Sequence, residues 1–326
     1  MARLLIYLSA RPITGSLFRF RALYEAIQRW AGDWEVVVRT PLKCPWESCP
    51  GLFWEKTPLP EPSPLLDEER LGEWIREWVR GWSLWVEGEK EIVEEYRPRV
   101  ILSDMAPQPL LLARETGVPG WFLGHFNWFS YLSQFMEVSG LLDEVASAYE
   151  AAQVAFVPPL SWGQGIFPLV QEVPLVGGGV QEGRVREVRR KILPKGVPVF
   201  VDQGVDEGRV RKVVREMWGI VVQLGALEDL PAVQVAYVEA NYTPLVTAFR
   251  GEVPCVIFHR GLEPGVSMAL EMEGLGVALA REEPGETPSA LEMALLINGA
   301  FEAYKALPSL YRLEGSQFLV ETLTQV

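Results

Sequence analysis

The chain has 326 residues, 48% of them apolar, 11% aromatic and 22% charged, with 43 acidic against 30 basic residues and a net charge of −13. At about 150 residues per domain this length fits two globular domains, and the apolar share excludes a disordered chain. So negative a field argues against wrapping nucleic acid or lying on an anionic membrane, so any bound phosphate has to be held by local groups.

Residues 4–9 read as a first strand, followed by a helix through Phe18, Leu23, Ile27 and Trp30, and residues 35–39 as a second strand. A proline-rich linker, 58–64, cannot be regular structure. A long helical pattern then covers 67–96, with a strand at 100–103, a helix at 107–115, a strand at 119–123, a helix at 128–149 and a strand at 154–157. Pro158-Pro159 and the Gly- and Pro-containing stretch to Pro168 make the best domain boundary, giving domains 1–158 and 159–326.

The same rhythm restarts beyond it, with strands at 174–176, 197–201, 220–224, 233–238, 255–258 and 276–280. Helices are expected near 184–192, 207–218, 245–250, 264–273, 289–307 and 314–323, the last of them free to pack back on the first domain. Strands separated by helices of this length mean βαβ units. The expected fold class is therefore α/β, two Rossmann-like parallel-sheet domains facing a central cleft, with ligands at the carboxyl ends of the strands.

Three cysteines make no disulfide framework and two histidines no histidine-rich metal site. Cys44 and Cys49 could close a small loop by oxidation, two unpaired surface thiols being the simpler reading, and Cys255 sits in an apolar run as a small core residue. No metal site is expected. The opening apolar run is broken by Arg11 and Pro12, unlike a signal peptide. No segment approaches the roughly 18 apolar residues of a membrane span, and the expectation is a soluble, cytoplasmic protein.

The first strand-to-helix turn carries Gly15, Ser16 and Arg19. It reads either as an anion site at a helix start or as an ordinary capped turn. Asp104 closes a strand, where a carboxylate can orient a sugar hydroxyl, act as a base or cap the next helix. His125 follows the strand at 119–123 and is flanked by Asn127 and Trp128, a polar and aromatic pair suited to a sugar ring. A lone histidine is more often structural than catalytic. Trp74, Trp78, Trp82 and Trp85 lie on one helix face, as buried packing or as a groove for an aromatic or lipid-linked acceptor. In the second half, Asp202-Gln203-Gly204 ends a strand with further acids beside it, and Gly177-Gly178-Gly179 lacks a phosphate-loop pattern.

Asp104-Met105-Ala106-Pro107, the run from Ala113 to Pro119, and Gly124-His125-Phe126-Asn127-Trp128 together resemble the amino-terminal half of glycosyltransferases of the GT-B fold. The likeness is nearest to the glycosyltransferase-like domain of arabinokinases. Glu239-Ala240-Asn241-Tyr242-Thr243-Pro244, Thr247-Ala248-Phe249 and Val253-Pro254 follow in register with that family's donor motif, and Glu263-Pro264 and Glu273 to Val277 come at its spacing. The resemblance implies a nucleotide-sugar substrate of uridine type, with no separate cofactor. Gly204, Tyr242, Thr243, Thr247, Arg260 and Glu263 would line the donor site, with Gly15, Ser16, Arg19, Asn127 and Trp128 on the acceptor side.

It also exposes departures. Gly15-Ser16 stands where the family carries Gly-His, and a serine cannot take a proton without a neighbouring base. Glu239 replaces a histidine, Thr243 a glycine and Thr247 the glutamate that binds the ribose. Two readings follow. In the first, the chain transfers a hexosyl or N-acetylhexosaminyl group to an acceptor hydroxyl, with Asp104 or His125 as base. In the second, it is a sugar- or nucleotide-binding or assembly protein that kept the fold and lost transfer. A nucleotide-sugar epimerase on the same fold is disfavoured.

Overall fold

A computed structural model describes residues 2–9, 15–44, 51–57, 68–135, 140–177, 181–192, 196–202, 210, 212, 221–224, 227–259, 261–282 and 288–326. The chain forms two compact units, Met1–Val176 with Glu314–Val326, and Gly177–Leu313. The first begins with β1 (Ala2–Leu8), α1 (Ser16–Trp30), β2 (Trp34–Thr40), β3 (Leu52–Lys56), α2 (Glu68–Arg80) and α3 (Trp82–Tyr96). It continues through β4 (Val100–Asp104), α4 (Gln108–Thr116), β5 (Gly120–Leu123), α5 (Trp128–Leu132), α6 (Gly140–Glu150), β6 (Val154–Val157) and β7 (Val170–Glu172). The second unit holds α7 (Glu182–Ile192), β8 (Val197–Val201), β9 (Val221–Leu224), β10 (Val235–Glu239), α8 (Tyr242–Arg250), β11 (Cys255–Phe258), α9 (Gly265–Gly274), β12 (Ala278–Arg281), α10 (Ala290–Ala306) and α11 (Ser309–Arg312). The closing helix, α12 (Gly315–Leu323), belongs to the first unit.

The first sheet has seven strands in the order β3-β2-β1-β4-β5-β6-β7, every neighbour pair parallel. Its inner strands, β1, β2, β4, β5 and β6, are mostly apolar because helices cover both faces. Leu4, Ile6 and Leu8 point to one side, against Phe20, Leu23 and Ile27 of α1 and Leu319, Val320 and Leu323 of α12. Leu5 and Tyr7 point to the other, against Val86 and Val93 of α3. This is the two-residue period of a strand written into one run of sequence. The second sheet, β12-β11-β10-β8-β9, is also parallel. Val199, Val201, Val235, Tyr237, Val256 and Phe258 join Met293 of α10 in its core.

The α/β class with two parallel sheets agrees with the sequence reading, while several details differ. The boundary drawn at 158/159 falls inside the first unit, because β7 continues the sheet beyond Pro158-Pro159 by pairing with β6. Gly315 returns to that unit with its N–H donating to the Leu175 carbonyl at 3.0 Å. The strand expected at 174–176 is irregular and β3 was not anticipated. The helical pattern over 67–96 breaks at Gly81, and that over 128–149 is two helices, α5 and α6. The helix expected at 207–218 falls almost wholly outside the described residues.

Candidate functional site

In the first sheet β1 has β2 on one side and β4 on the other, so the chain crosses over in opposite directions from this point. Such a switch opens a crevice at the carboxyl ends of the strands. The register sets Leu8 beside Asp104 and Asp104 beside Leu123, so β1, β4 and β5 end level. Gly15, at φ 61°, turns the chain into α1 through the left-handed region that glycine enters without strain. This makes Ser16 the first residue of the helix and puts Arg19 one turn on, on its buried face.

Four of the expected site residues meet here. The Ser16 hydroxyl donates to Asp104 Oδ1 at 2.5 Å. Arg19 grips the same carboxylate with both arms of its fork, Nη2 to Oδ1 at 2.5 Å and Nε to Oδ2 at 3.0 Å. Its remaining terminal nitrogen, Nη1, lies 3.1 Å from His125 Nδ1. None of these side chains is more than 2% exposed.

Protonation states follow from this geometry. Burial first, and then the Arg19 charge, hold the His125 pKa well below its ordinary 6.5, so the ring is neutral. A guanidinium has donors only, so Nδ1 must accept and the ring hydrogen sits on Nε2. Asp104, with both oxygens accepting charge-assisted bonds, is the counter-ion of Arg19. The backbone around the cluster is held as well. Met105, next after Asp104, has φ 74°, and its carbonyl accepts from the Tyr149 hydroxyl at 2.7 Å while that oxygen accepts from Trp128 N at 3.0 Å. A side chain at Gly124 would strike Met105 Sδ and the Phe122 ring, which explains the glycine before His125.

Asn127 and Trp128 do not present their side chains to solvent. Asn127 is the N-cap of α5, its Oδ1 accepting from Ser130 N at 2.8 Å and its Nδ2 donating to the Gly163 carbonyl at 2.5 Å. Trp128 is fully buried, edge-on to Phe126 and Tyr131, and its indole Nε1 has no hydrogen-bond partner among the described residues. The tryptophan series is packing. Trp78 stacks on Trp74 and meets Trp82 edge-on in the core beneath α6, and Trp85 meets Tyr7 edge-on.

The second sheet has its own switch, between β8 and β10. Asp202 follows β8 and Glu239 ends β10, and the Glu239 N–H donates to Asp202 Oδ2 at 3.4 Å. Asn241 caps α8 in extended conformation without a side-chain bond. Of the residues expected at a donor, Tyr242 is fully buried and Thr243 half-buried at the start of α8. Thr247 turns its hydroxyl inward to the Thr243 carbonyl at 2.8 Å, bonding along its own helix. Glu263 accepts from Ser267 N at 2.9 Å in the first turn of α9. Gly204 and Arg260 lie outside the described residues, as does Cys49. Cys44 is exposed, whereas Cys255 is buried, which pushes its thiol pKa up. Among the described residues there is no cluster of three or more His, Cys, Asp or Glu that could hold a metal, and no helix long and apolar enough to cross a membrane.

One buried charged network escaped the sequence reading. Glu89 of α3 accepts from Tyr7 at 2.8 Å, from Thr57 at 2.9 Å and from Arg39 at 2.9 and 2.6 Å, and Arg39 also reaches Glu55 at 2.6 Å. The signal was present. Glu89 stands in register with Trp82, Val86 and Val93, the buried stripe of α3, where a carboxylate needs partners.

No family model matches the sequence, and no curated protein matches it either. Solved structures do match over essentially the whole chain. UGT89C1 of Arabidopsis thaliana, solved with UDP, superposes with a TM-score of 0.66 at 12% identity, covering 100% of this chain and 99% of that one. UGT2 of Phytolacca americana, solved with UDP-2-fluoroglucose and pterostilbene, gives 0.64 at 13% identity and the same coverage. The glycosyltransferase VinC, solved with dTDP, gives 0.61 at 16% identity, covering 99% and 98%. At these identities the likeness defines a class of fold. The chain has the GT-B architecture of glycosyltransferases.

Proposed function

We propose that the chain is a glycosyltransferase that moves a sugar from a nucleoside-diphosphate donor to an acceptor held at the first unit. One observation carries this reading: the fold matches that of sugar-transferring enzymes from end to end. In this reading the donor diphosphate lies at the start of α8, where the Tyr242 and Thr243 N–H groups face the helix N-terminus, Pro244 having none. The donor is of uridine type, as UDP in the Arabidopsis relative suggests, and the sugar a hexose or N-acetylhexosamine. The arabinokinase-like affiliation belongs to the same reading. Ser16, Arg19, Asp104 and His125 then shape the wall of the acceptor side.

A second reading has an observation of its own. Asp202 and Glu239 set two acidic residues at the carboxyl ends of β8 and β10, the switch at which this reading seats the diphosphate, and Thr247 brings no charged clamp for a ribose. This favours a protein that binds a nucleotide or sugar without transferring it. Titration calorimetry with UDP and dTDP, paired with nucleotide release from UDP-glucose and UDP-N-acetylglucosamine, separates the two. Binding with acceptor-dependent release supports transfer, and binding without release supports the second reading. Absence of binding at millimolar nucleotide overturns both.

A further inference from the structure

We propose that α10 carries a docking face for a second copy of this chain, the two copies packing antiparallel across a two-fold axis at Asn298. One side of the helix holds it to its own sheet. Met293 joins the core of β8, β10 and β11, and Leu296, Ala300, Tyr304 and Leu307 are buried with it. At about 100° per residue these five fall within roughly 80° of the helix circumference. On the opposite side Leu291, Leu295 and Phe301 are 69%, 64% and 59% exposed. They fall within roughly 120°, and the exposed Asn298 stands at the middle of that strip. Among the described residues no other helix leaves more than one large apolar side chain exposed. Single apolar residues on a surface are ordinary, whereas a contiguous strip of them marks an interaction site.

Charge and pattern choose the occupant. The chain carries −13, so two copies repel each other unless they meet where the local charge is balanced. Along this strip it is balanced. Lys305 pairs with Glu302 at 3.0 Å, with its ammonium 3.8 Å from the centre of the Phe301 ring, and Glu292 pairs with Arg281 at 2.6 Å. The strip is also its own complement. In a two-fold contact one patch serves both copies, so residue i meets j and j meets i. An axis at Asn298 sets Leu295 on the partner's Phe301 and Leu291 on the aliphatic stem of the partner's Lys305. The two Asn298 amides then meet on the axis, where each can both donate and accept. A single polar residue in an apolar seam costs some stability and fixes the register.

With 17 residues α10 is about 25 Å long. A strip of that length gives a contact at the lower end of specific interfaces, so a reversible dimer is expected rather than an obligate one.

The test is sedimentation velocity on the full chain from about 1 to 200 µM. The expected result is a monomer–dimer equilibrium with a dissociation constant between about 1 and 100 µM. It should tighten or stay level as salt rises from 20 to 300 mM, because salt screens the repulsion between two acidic chains. Leu295→Glu and Phe301→Glu should each raise the dissociation constant at least ten-fold, with circular dichroism unchanged, since both side chains are exposed. Register is read by oxidation in a Cys44→Ser, Cys49→Ser background. Asn298→Cys should form a disulfide-linked dimer at least ten times faster than Leu270→Cys, whose site is an exposed position on α9. A monomer at every concentration overturns the proposal, as does a dimer that either glutamate variant leaves intact. A dimer that loosens with salt is held by charge elsewhere and overturns it too, and equal oxidation rates for the two cysteine variants overturn the axis at Asn298.

Discussion

Two switch points in one chain carry polar residues at the ends of their central strands, and they are finished in opposite ways. In the first unit the carboxylate of Asp104 has a guanidinium wrapped around it, a hydroxyl on one oxygen and solvent excluded. In the second, Asp202 and Glu239 are half-buried and joined through a backbone N–H. Topology alone accounts for the placement in both cases, because parallel strands deliver their last residues to one edge. What separates them is charge balance. A neutral, desolvated quartet holds a shape, whereas a pair of acids at an accessible edge sets a field.

If that contrast is right, the largest effect comes from unbalancing the first switch. Arg19→Met strands the Asp104 carboxylate in a site without water, and a loss of about 3–5 kcal/mol is expected in urea unfolding. Adding Asp104→Leu should recover most of it, since the cost lies in the orphaned charge rather than in the missing pair. A double variant no more stable than the single one would show that the contacts themselves carry the stability. Next comes Glu89→Gln, which weakens two bonds from Arg39 and one each from Tyr7 and Thr57. About 2 kcal/mol is expected for hydrogen bonds to a charged group. A change below about 0.5 kcal/mol would place this network with the surface ion pairs.

His125 gives a smaller, pH-dependent effect. Its folded pKa is held well below 6.5 while the unfolded ring titrates near that value. Below pH 6.5 the unfolded state therefore binds more protons. The stability due to the neutral ring is complete above that pH and is lost as pH falls, at up to about 1.4 kcal/mol per unit. Against His125→Gln, which does not titrate, the wild type should lose ground between pH 7.5 and pH 5 in urea midpoints. Parallel profiles would mean that the folded ring takes up a proton as readily as the unfolded one.

These residues also show how far the sequence could be read. Asp104 and His125 were legible as strand-end positions, because strand periods and turns are local patterns. Their bonding was not. Arg19 reaches Asp104 and His125 across 85 and 106 residues of chain, and no local period encodes a contact of that length. Trp128 read as a cleft residue and lies at the centre of a core, since a strand-end position does not say how closely the following helix packs. β3 was passed over because its five residues are half-buried or exposed at a sheet edge, without the apolar run of an inner strand. Glu89 was overlooked for the converse reason, a charge counted as surface although it stood in an apolar stripe.

The gentlest change tests the other switch. Glu239→Gln keeps the shape of the side chain and its backbone N–H, which donates to Asp202, so stability should stay within about 0.5 kcal/mol of the wild type. Its effect should fall on ligand charge. A carboxylate near the α8 N-terminus opposes the partial positive charge there and repels a diphosphate, so removing it should tighten UDP binding several-fold in calorimetry. The gain should shrink as salt rises from 20 to 300 mM, because an interaction at an accessible edge is screened over about 10 Å. Uridine, which lacks the phosphates, should bind the variant and the wild type alike. Tighter binding of both ligands would point to a change of shape instead, and no change for either would put the diphosphate elsewhere than beside Glu239.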